Sequence, residues 1–267
     1  MKNILFALAL LISFISFGQS ADEYFDSGYD KAEAKDYYGS IADFTKAIEI
    51  NPNDADAYYN RGLSKDELKD YYGAIADFTK AIEINPNYAK AYTNRGVSKK
   101  NLKDYNGAIA DYTKAIEINP NDAFAYNNRG NSKNDLKDYN GAIADFTKAI
   151  EINPNYAKAY YNRGLSKDDL NDYYGAIADF TKAIEINPNY AKAYTNRGFS
   201  KGNLKDYNGE IADYTKAIEI NPNDALAYTN RSISKYYLGD KNGACQDARK
   251  SQDLGADASE LIKIVCK

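Results

Sequence analysis

One proline returns every 34 residues: Pro52, Pro86, Pro120, Pro154, Pro188 and Pro222. These are all the prolines in a chain of 267 residues. Proline lacks the amide, and its ring lacks the room, to continue a helix, so each one marks the same break. Numbering positions 1 to 34 from Ala21 aligns seven copies without a gap: 21–54, 55–88, 89–122, 123–156, 157–190, 191–224 and 225–256, with proline at position 32 in the first six. A fixed period of this length means one local unit stacked on its own copies.

Within each copy, apolar or small residues recur at helical spacing in two blocks. In the second copy the first block runs Ala57, Tyr58, Arg61, Gly62, Lys65, Leu68, and the second runs Tyr71, Ala74, Ile75, Phe78, Ala81, Ile82. An aspartate precedes the second block in every copy (Asp36, Asp70, Asp104, Asp138, Asp172, Asp206 and Asp240), where an oxygen is wanted for unpaired backbone amides. The spacing predicts two antiparallel helices per repeat and an all-α chain.

Aligned this way, the second copy reads Tyr58, Arg61, Gly62, Lys65, Ala74, Phe78, Ala81 and Pro86 at positions 4, 7, 8, 11, 20, 24, 27 and 32. This pattern resembles the tetratricopeptide repeat, whose signature has an aromatic at 4, Leu-Gly at 7 and 8, Tyr at 11, Ala at 20, Phe at 24, Ala at 27 and Pro at 32. The resemblance covers residues 21 to about 256 and implies a right-handed α-solenoid of seven helix-turn-helix repeats in one stack. Position 7 departs from it as Arg, position 11 as Lys, and position 20 as Glu210. The seventh repeat departs further, with Ser232 for Gly, Lys241 for Tyr, Ala248 for Phe and Ala256 for Pro, as expected of a terminal repeat with one face in solvent. Residues 257–267 carry Leu261, Ile262 and Val265 on one side and read as a capping helix.

The first twenty residues differ from the rest. Lys2 precedes an uncharged apolar run from Ile4 to Phe17, too short for a comfortable membrane span and suited to the core of a signal peptide. Cleavage after Gly18 or after Ser20 fits the small residues there. An uncleaved anchor is the other reading, and no lipid-accepting cysteine follows the run. The expectation is an exported chain, periplasmic or extracellular, with no membrane span after cleavage. Export would place Cys245 and Cys266, the only cysteines, where a disulfide can persist; two buried thiols are the alternative.

Chemistry is hard to find. There is no histidine, which removes His-based triads, His-metal sites and the commonest general base. Two cysteines cannot build a structural zinc site alone, and no glycine-rich phosphate loop occurs. Aspartates at positions 16 and 23 recur in every repeat, whereas a catalytic pair should occur once. The reading is no enzyme, no cofactor and no metal. A net charge of −4 gives no electrostatic reason for a nucleic-acid partner.

The resemblance implies that the first helices of successive repeats line a concave groove holding an extended peptide, contacted mainly from positions 2, 5, 6, 9, 12 and 13. Position 6 here is Asn60, Asn94, Asn128, Asn162, Asn196 and Asn230, amides that could bond a peptide backbone or brace their own helices. Position 9 includes Leu63, Val97, Leu165 and Phe199, expected exposed. Position 2 mixes Lys90, Lys158 and Lys192 with Phe124, which meets only part of a clamp for a terminal carboxylate. The expected function is a monomeric scaffold or adaptor binding a protein or peptide. The rival is a carbohydrate-binding or cell-wall module using Tyr29, Tyr59 and Tyr161 as stacking faces.

Residues 58–126 and 160–228 differ at only six positions: Glu67/Asp169, Lys69/Asn171, Val97/Phe199, Lys100/Gly202, Ala108/Glu210 and Phe124/Leu226. A three-repeat block has been duplicated, and four of the differences fall on the groove positions. Glu210 stands where two helices should touch and is expected to weaken that joint. The position-7 arginines need partners, since a buried guanidinium is costly alone. The chain ends favour pairing each with the position-23 aspartate of the preceding repeat, Asp43 with Arg61 through Asp213 with Arg231, because Asp43 has no arginine in its own repeat. Asp247 would then be left to Lys263.

Overall fold

The structure is a computed structural model that describes residues 19–267; most of the expected signal peptide, residues 1–18, lies outside the described residues. Among the described residues there are fifteen helices and no strand. They alternate as α1 (Ala21–Glu33), α2 (Tyr37–Ile50), α3 (Ala55–Glu67), α4 (Tyr71–Ile84), α5 (Ala89–Asn101), α6 (Tyr105–Ile118), α7 (Ala123–Asp135) and α8 (Tyr139–Ile152). The series continues with α9 (Ala157–Asp169), α10 (Tyr173–Ile186), α11 (Ala191–Asn203), α12 (Tyr207–Ile220), α13 (Ala225–Tyr237), α14 (Lys241–Asp253) and α15 (Ser259–Val265). Two helices fall in each 34-residue repeat and α15 follows the last. No described helix is long and apolar enough to cross a membrane.

The chain resolves into two compact units, one ending at Pro86 and one running from Asn87 to Lys267. In the first, α1 packs on α2, α2 on α3 and α3 on α4. In the second, each helix from α5 to α15 packs on the next, and the odd-numbered helices α5, α7, α9, α11 and α13 also touch their neighbours in series.

The local signals act as read. The position-16 aspartates cap the even helices, each accepting from a glycine amide three residues on, as Asp138 does from Gly141 at 3.0 Å. The turn before each cap uses a left-handed residue that the sequence does not advertise: Lys35, Lys69, Lys103, Lys137, Asn171 and Lys205 have φ near 61–63°, and only the seventh repeat uses glycine there, Gly239. The left-handed residue lets the next amide return to the helix end, as Asp138 N–H does to the Lys133 carbonyl at 2.9 Å.

The core is built around position 24. Phe44, Phe78, Tyr112, Phe146, Phe180 and Tyr214 are fully buried, each ring contributing about 2 to 3 kcal/mol of apolar burial. Position 8 is glycine because the ring lies against it: a Cβ on Gly130 would stand 2.7 Å from the Phe146 ring. The seventh repeat shows the converse. Ala248 replaces the ring, Ser232 replaces the glycine, and the serine hydroxyl donates to the Ala244 carbonyl at 2.8 Å. Those two departures therefore compensate each other and are not only a relaxation at a terminus.

The cap is closed by a Cys245–Cys266 disulfide between α14 and the residue after α15. Ala244, Ala248 and Val265 pack beside it with Leu261 and Ile262.

Candidate functional site

The arginines are structural, but not in the pairing expected from sequence. Each binds the aspartate of its own repeat: Arg129 donates from Nε to Asp145 Oδ2 at 2.9 Å and from Nη2 to Oδ1 at 2.7 Å. Arg61 with Asp77, Arg95 with Asp111, Arg163 with Asp179, Arg197 with Asp213 and Arg231 with Asp247 repeat that geometry. The position-11 lysine completes the cluster, Lys133 reaching Asp145 at 2.8 Å, which accounts for the departures from the family signature at positions 7 and 11. The paired helices of one repeat lie antiparallel, so positions 7 and 23 face each other.

The inference from the chain end fails because Asp43 is not stranded: Ser27 Oγ donates to it at 2.6 Å and Lys31 at 2.5 Å. Burial raises the Asp43 pKa, but these donors outweigh it and hold the carboxyl below its ordinary value. Lys263 pairs with Glu260, not Asp247. A link between repeats does exist, through a hydroxyl. The remaining guanidinium nitrogen donates to the position-25 threonine of the preceding repeat, Arg61 to Thr45, Arg129 to Thr113, Arg163 to Thr147, Arg197 to Thr181 and Arg231 to Thr215, at 3.0 to 3.1 Å. Each threonine gives its own proton to the carbonyl four residues back, Thr113 to Ile109 at 2.8 Å, leaving an oxygen lone pair for the arginine. The position-4 tyrosine, half-buried, supplies a ring face under the guanidinium, 5.5 Å away for Tyr126.

With the arginines accounted for, the odd-helix face is left for a ligand. Four of its asparagines serve the protein itself. Asn60 and Asn94 donate to the carbonyls of Asp56 and Lys90, Asn162 to Asn127 Oδ1, and Asn196 to the Tyr161 hydroxyl. The Asn128 amide nitrogen is buried with no hydrogen-bond partner. Of the apolar line, Phe199 is 49% exposed, with Tyr29 and Ile233 exposed as well. Leu63, Val97 and Leu165, expected exposed, are half-buried, because a neighbouring odd helix leans on this row. The lysines at position 2, Lys90, Lys158 and Lys192, are exposed, as is Phe124; Asn230 is half-buried. Tyr161 does not offer a free stacking face, since its ring lies 5.8 Å from Phe180 and 4.8 Å from Tyr190. Tyr59 leans on Phe78 at 5.8 Å. Burial and the neighbouring Tyr161 push the Tyr190 phenol up to about 12.

Two hollows open beside odd-numbered helices, one within each unit, and each next to a small residue at position 12. In the unit ending at Pro86, a hollow of about 340 Å³ forms next to Ala32, walled by Tyr29 and Tyr37 with Glu33 and Glu67 on its rim. In the second unit, a hollow of about 260 Å³ forms next to Gly202, among α11, α12 and α13. Glu210 lies buried in its floor, and burial raises its pKa more than the Ser234 and Tyr214 hydroxyls lower it. Sequence reasoning marked Glu210 only as a flaw in a helix contact; the signal that it belongs to a site was its pairing with Gly202.

Comparison with known proteins agrees with the repeat geometry. Tetratricopeptide-repeat models match residues 55–88, 89–122, 123–156 and 157–190, a TPR-repeat model matches 22–65, and a further tetratricopeptide-repeat model matches 191–224. The crystal structure of YrrB, described as a TPR protein with an unusual peptide-binding site, is similar at 26% identity and a TM-score of 0.60 over 70% of this chain and 97% of that one. MamA is similar at 26% identity and a TM-score of 0.57, over 60% of this chain and 93% of that one. A tetratricopeptide repeat protein from Parabacteroides merdae shares the fold at 22% identity and a TM-score of 0.69, over 94% and 100%. No curated protein matches the chain.

Proposed function

Because the chain belongs to the tetratricopeptide-repeat family, whose members mediate contacts between proteins, we propose that it is a non-enzymatic scaffold or adaptor that holds an extended segment of a partner protein along its odd-numbered helices. The observation that carries this reading is the exposure of large apolar side chains on that face, Phe199 and Ile233 beside the hollow and Phe124 and Leu226 at position 2. YrrB, at 26% identity, supports a peptide ligand. The apolar run at residues 4–17 and the Cys245–Cys266 bond support an exported, envelope location.

A photo-crosslinking side chain at residue 199, compared with one at the exposed Tyr174 on an even helix, tests the reading in an envelope fraction. Capture of one partner segment from 199 and not from 174, lost when Ile233 becomes Ser without a change in melting temperature, is expected. Equal capture from both positions, or retention on insoluble polysaccharide with no protein captured, would overturn it.

A further inference from the structure

Residues 58–126 and 160–228 differ at six positions, and three of those in the later segment, Phe199, Gly202 and Glu210, line one hollow. In the sister block the same places hold Val97, Lys100 and Ala108, and Lys100 Nζ reaches Asp135 at 3.3 Å. Where the earlier segment carries a lysine side chain, the later one therefore has a glycine and, beside it, a carboxylate. The two changes meet at one spot: a Cβ on residue 202 would stand 2.6 Å from the Glu210 carboxylate, so a side chain there would displace it.

We propose that this hollow receives a lysine side chain of the segment bound on the odd-helix face, its ammonium on Glu210. The proposal rests on the peptide-binding reading above and specifies the chemistry of the partner. Glu210 has no lysine or arginine partner among the described residues, and the adjacent Lys201 is committed to Asp213 at 2.7 Å. The ionised form of a buried carboxylate open to a hollow is stabilised when a cation completes it. The walls suit the rest of a lysine. Tyr207 and Tyr237 stack with ring centroids 5.1 Å apart, and with Phe199 and Ile233 they offer apolar surface along which a methylene stem can lie, the charged end reaching the floor. The other hollow shares the small residue at position 12 and a pair of tyrosines, but its carboxylates, Glu33 and Glu67, are exposed and Ser40 stands at the position of Glu210, so only the second hollow has a buried carboxylate.

The test is titration of the isotope-labelled protein with the peptide acetyl-Ala-Ala-Lys-Ala-Ala-amide, followed through backbone amide signals. Shifts are expected at Gly202 and Asn203, with binding weakened about tenfold when norleucine replaces the lysine. The Glu210→Gln protein should bind the two peptides alike while its other signals show an intact fold. Gly202→Lys, which restores the sister block's side chain, should block the peptide. Equal affinity for the lysine and norleucine peptides, or lysine selectivity that survives Glu210→Gln, would overturn the proposal. Capture of a partner from residue 199 with no response of Gly202 to the lysine peptide would sink the lysine site and leave the adaptor reading standing. A lysine response with no partner captured would do the reverse.

Discussion

Arg129 holds Asp145, sixteen residues ahead in its own repeat, while Asp111 of the preceding repeat is already held by Arg95. The arginine therefore ties the two helices of a repeat together first, and only its last nitrogen reaches across to Thr113.

A double-mutant cycle should show Arg129 coupled strongly to Asp145 and not to Asp111. Removing one member of such a pair strands a buried charge, so Arg129→Ala or Asp145→Ala should each cost about 3 to 5 kcal/mol in denaturant unfolding. Thr113→Val should cost about 1 kcal/mol, the scale of one hydrogen bond. Coupling of Arg129 to Asp111 instead would contradict the geometry.

Glu210 makes stability depend on pH in a direction opposite to most carboxylates. Its folded pKa is raised above the free value of 4.5, so folding favours the protonated form. The native protein binds more protons than the unfolded chain between those two values, and stability falls as pH rises through that window. Glu210→Gln should match the wild type near pH 4.5 and melt higher than it towards neutral pH. Parallel curves would refute this.

Lys137 adopts φ 63°, a left-handed conformation that costs an L-residue about 1 kcal/mol relative to glycine. Lys137→Gly should raise the unfolding free energy by roughly that amount, less the greater backbone freedom glycine brings to the unfolded chain. A loss of stability would mean that the lysine side chain makes a contact that outweighs its backbone strain.

The disulfide spans 21 residues of sequence and should stabilise the C-terminal cap by roughly 3 kcal/mol on a chain-entropy view. Exported protein should show no titratable thiol before reduction and two after it. Reduction should lower the first unfolding transition; two thiols in the unreduced protein would show that the bond does not form.

Ser20 caps α1, its hydroxyl accepting from the Glu23 amide while the Glu23 carboxylate accepts from the Ser20 amide. Cleavage after Gly18 keeps this capping box and cleavage after Ser20 removes it. The mature chain is expected to begin at Gln19, which N-terminal sequencing checks.

Nearly all of the fold was legible because the period repeats each local signal six or seven times. Proline breaks, aspartate caps and helical spacing each place a boundary. The partner of the arginine was not legible, for a reason built into periodicity: aspartates lie sixteen residues ahead of each arginine and eighteen behind, and a repeat cannot say which is nearer in space. The chain end could have decided it, but at Asp43 Ser27 donates in place of the missing arginine, beside Lys31, the position-11 lysine that every repeat carries, and a serine does not look like a replacement from sequence. The left-handed lysines carry no glycine signal. The hollow was half visible: Gly202 and Glu210 were both seen to differ from the sister block, yet they lie on different helices, and only folding shows that one makes room for the other.

The bond that Arg61, Arg129, Arg163, Arg197 and Arg231 each make to the threonine one repeat earlier has a consequence for how such a chain grows. A joint made from the same two residues each time is a standard coupling: either side can mate with any other repeat carrying the same fitting. Copying three repeats in tandem then creates no new kind of seam, because the junction between copies, Arg163 to Thr147, uses the same parts as the junctions on either side of it, Arg129 to Thr113 and Arg197 to Thr181. The array can lengthen by whole modules first and acquire individuality afterwards, and the six differences between residues 58–126 and 160–228 are what such individuality looks like at an early stage.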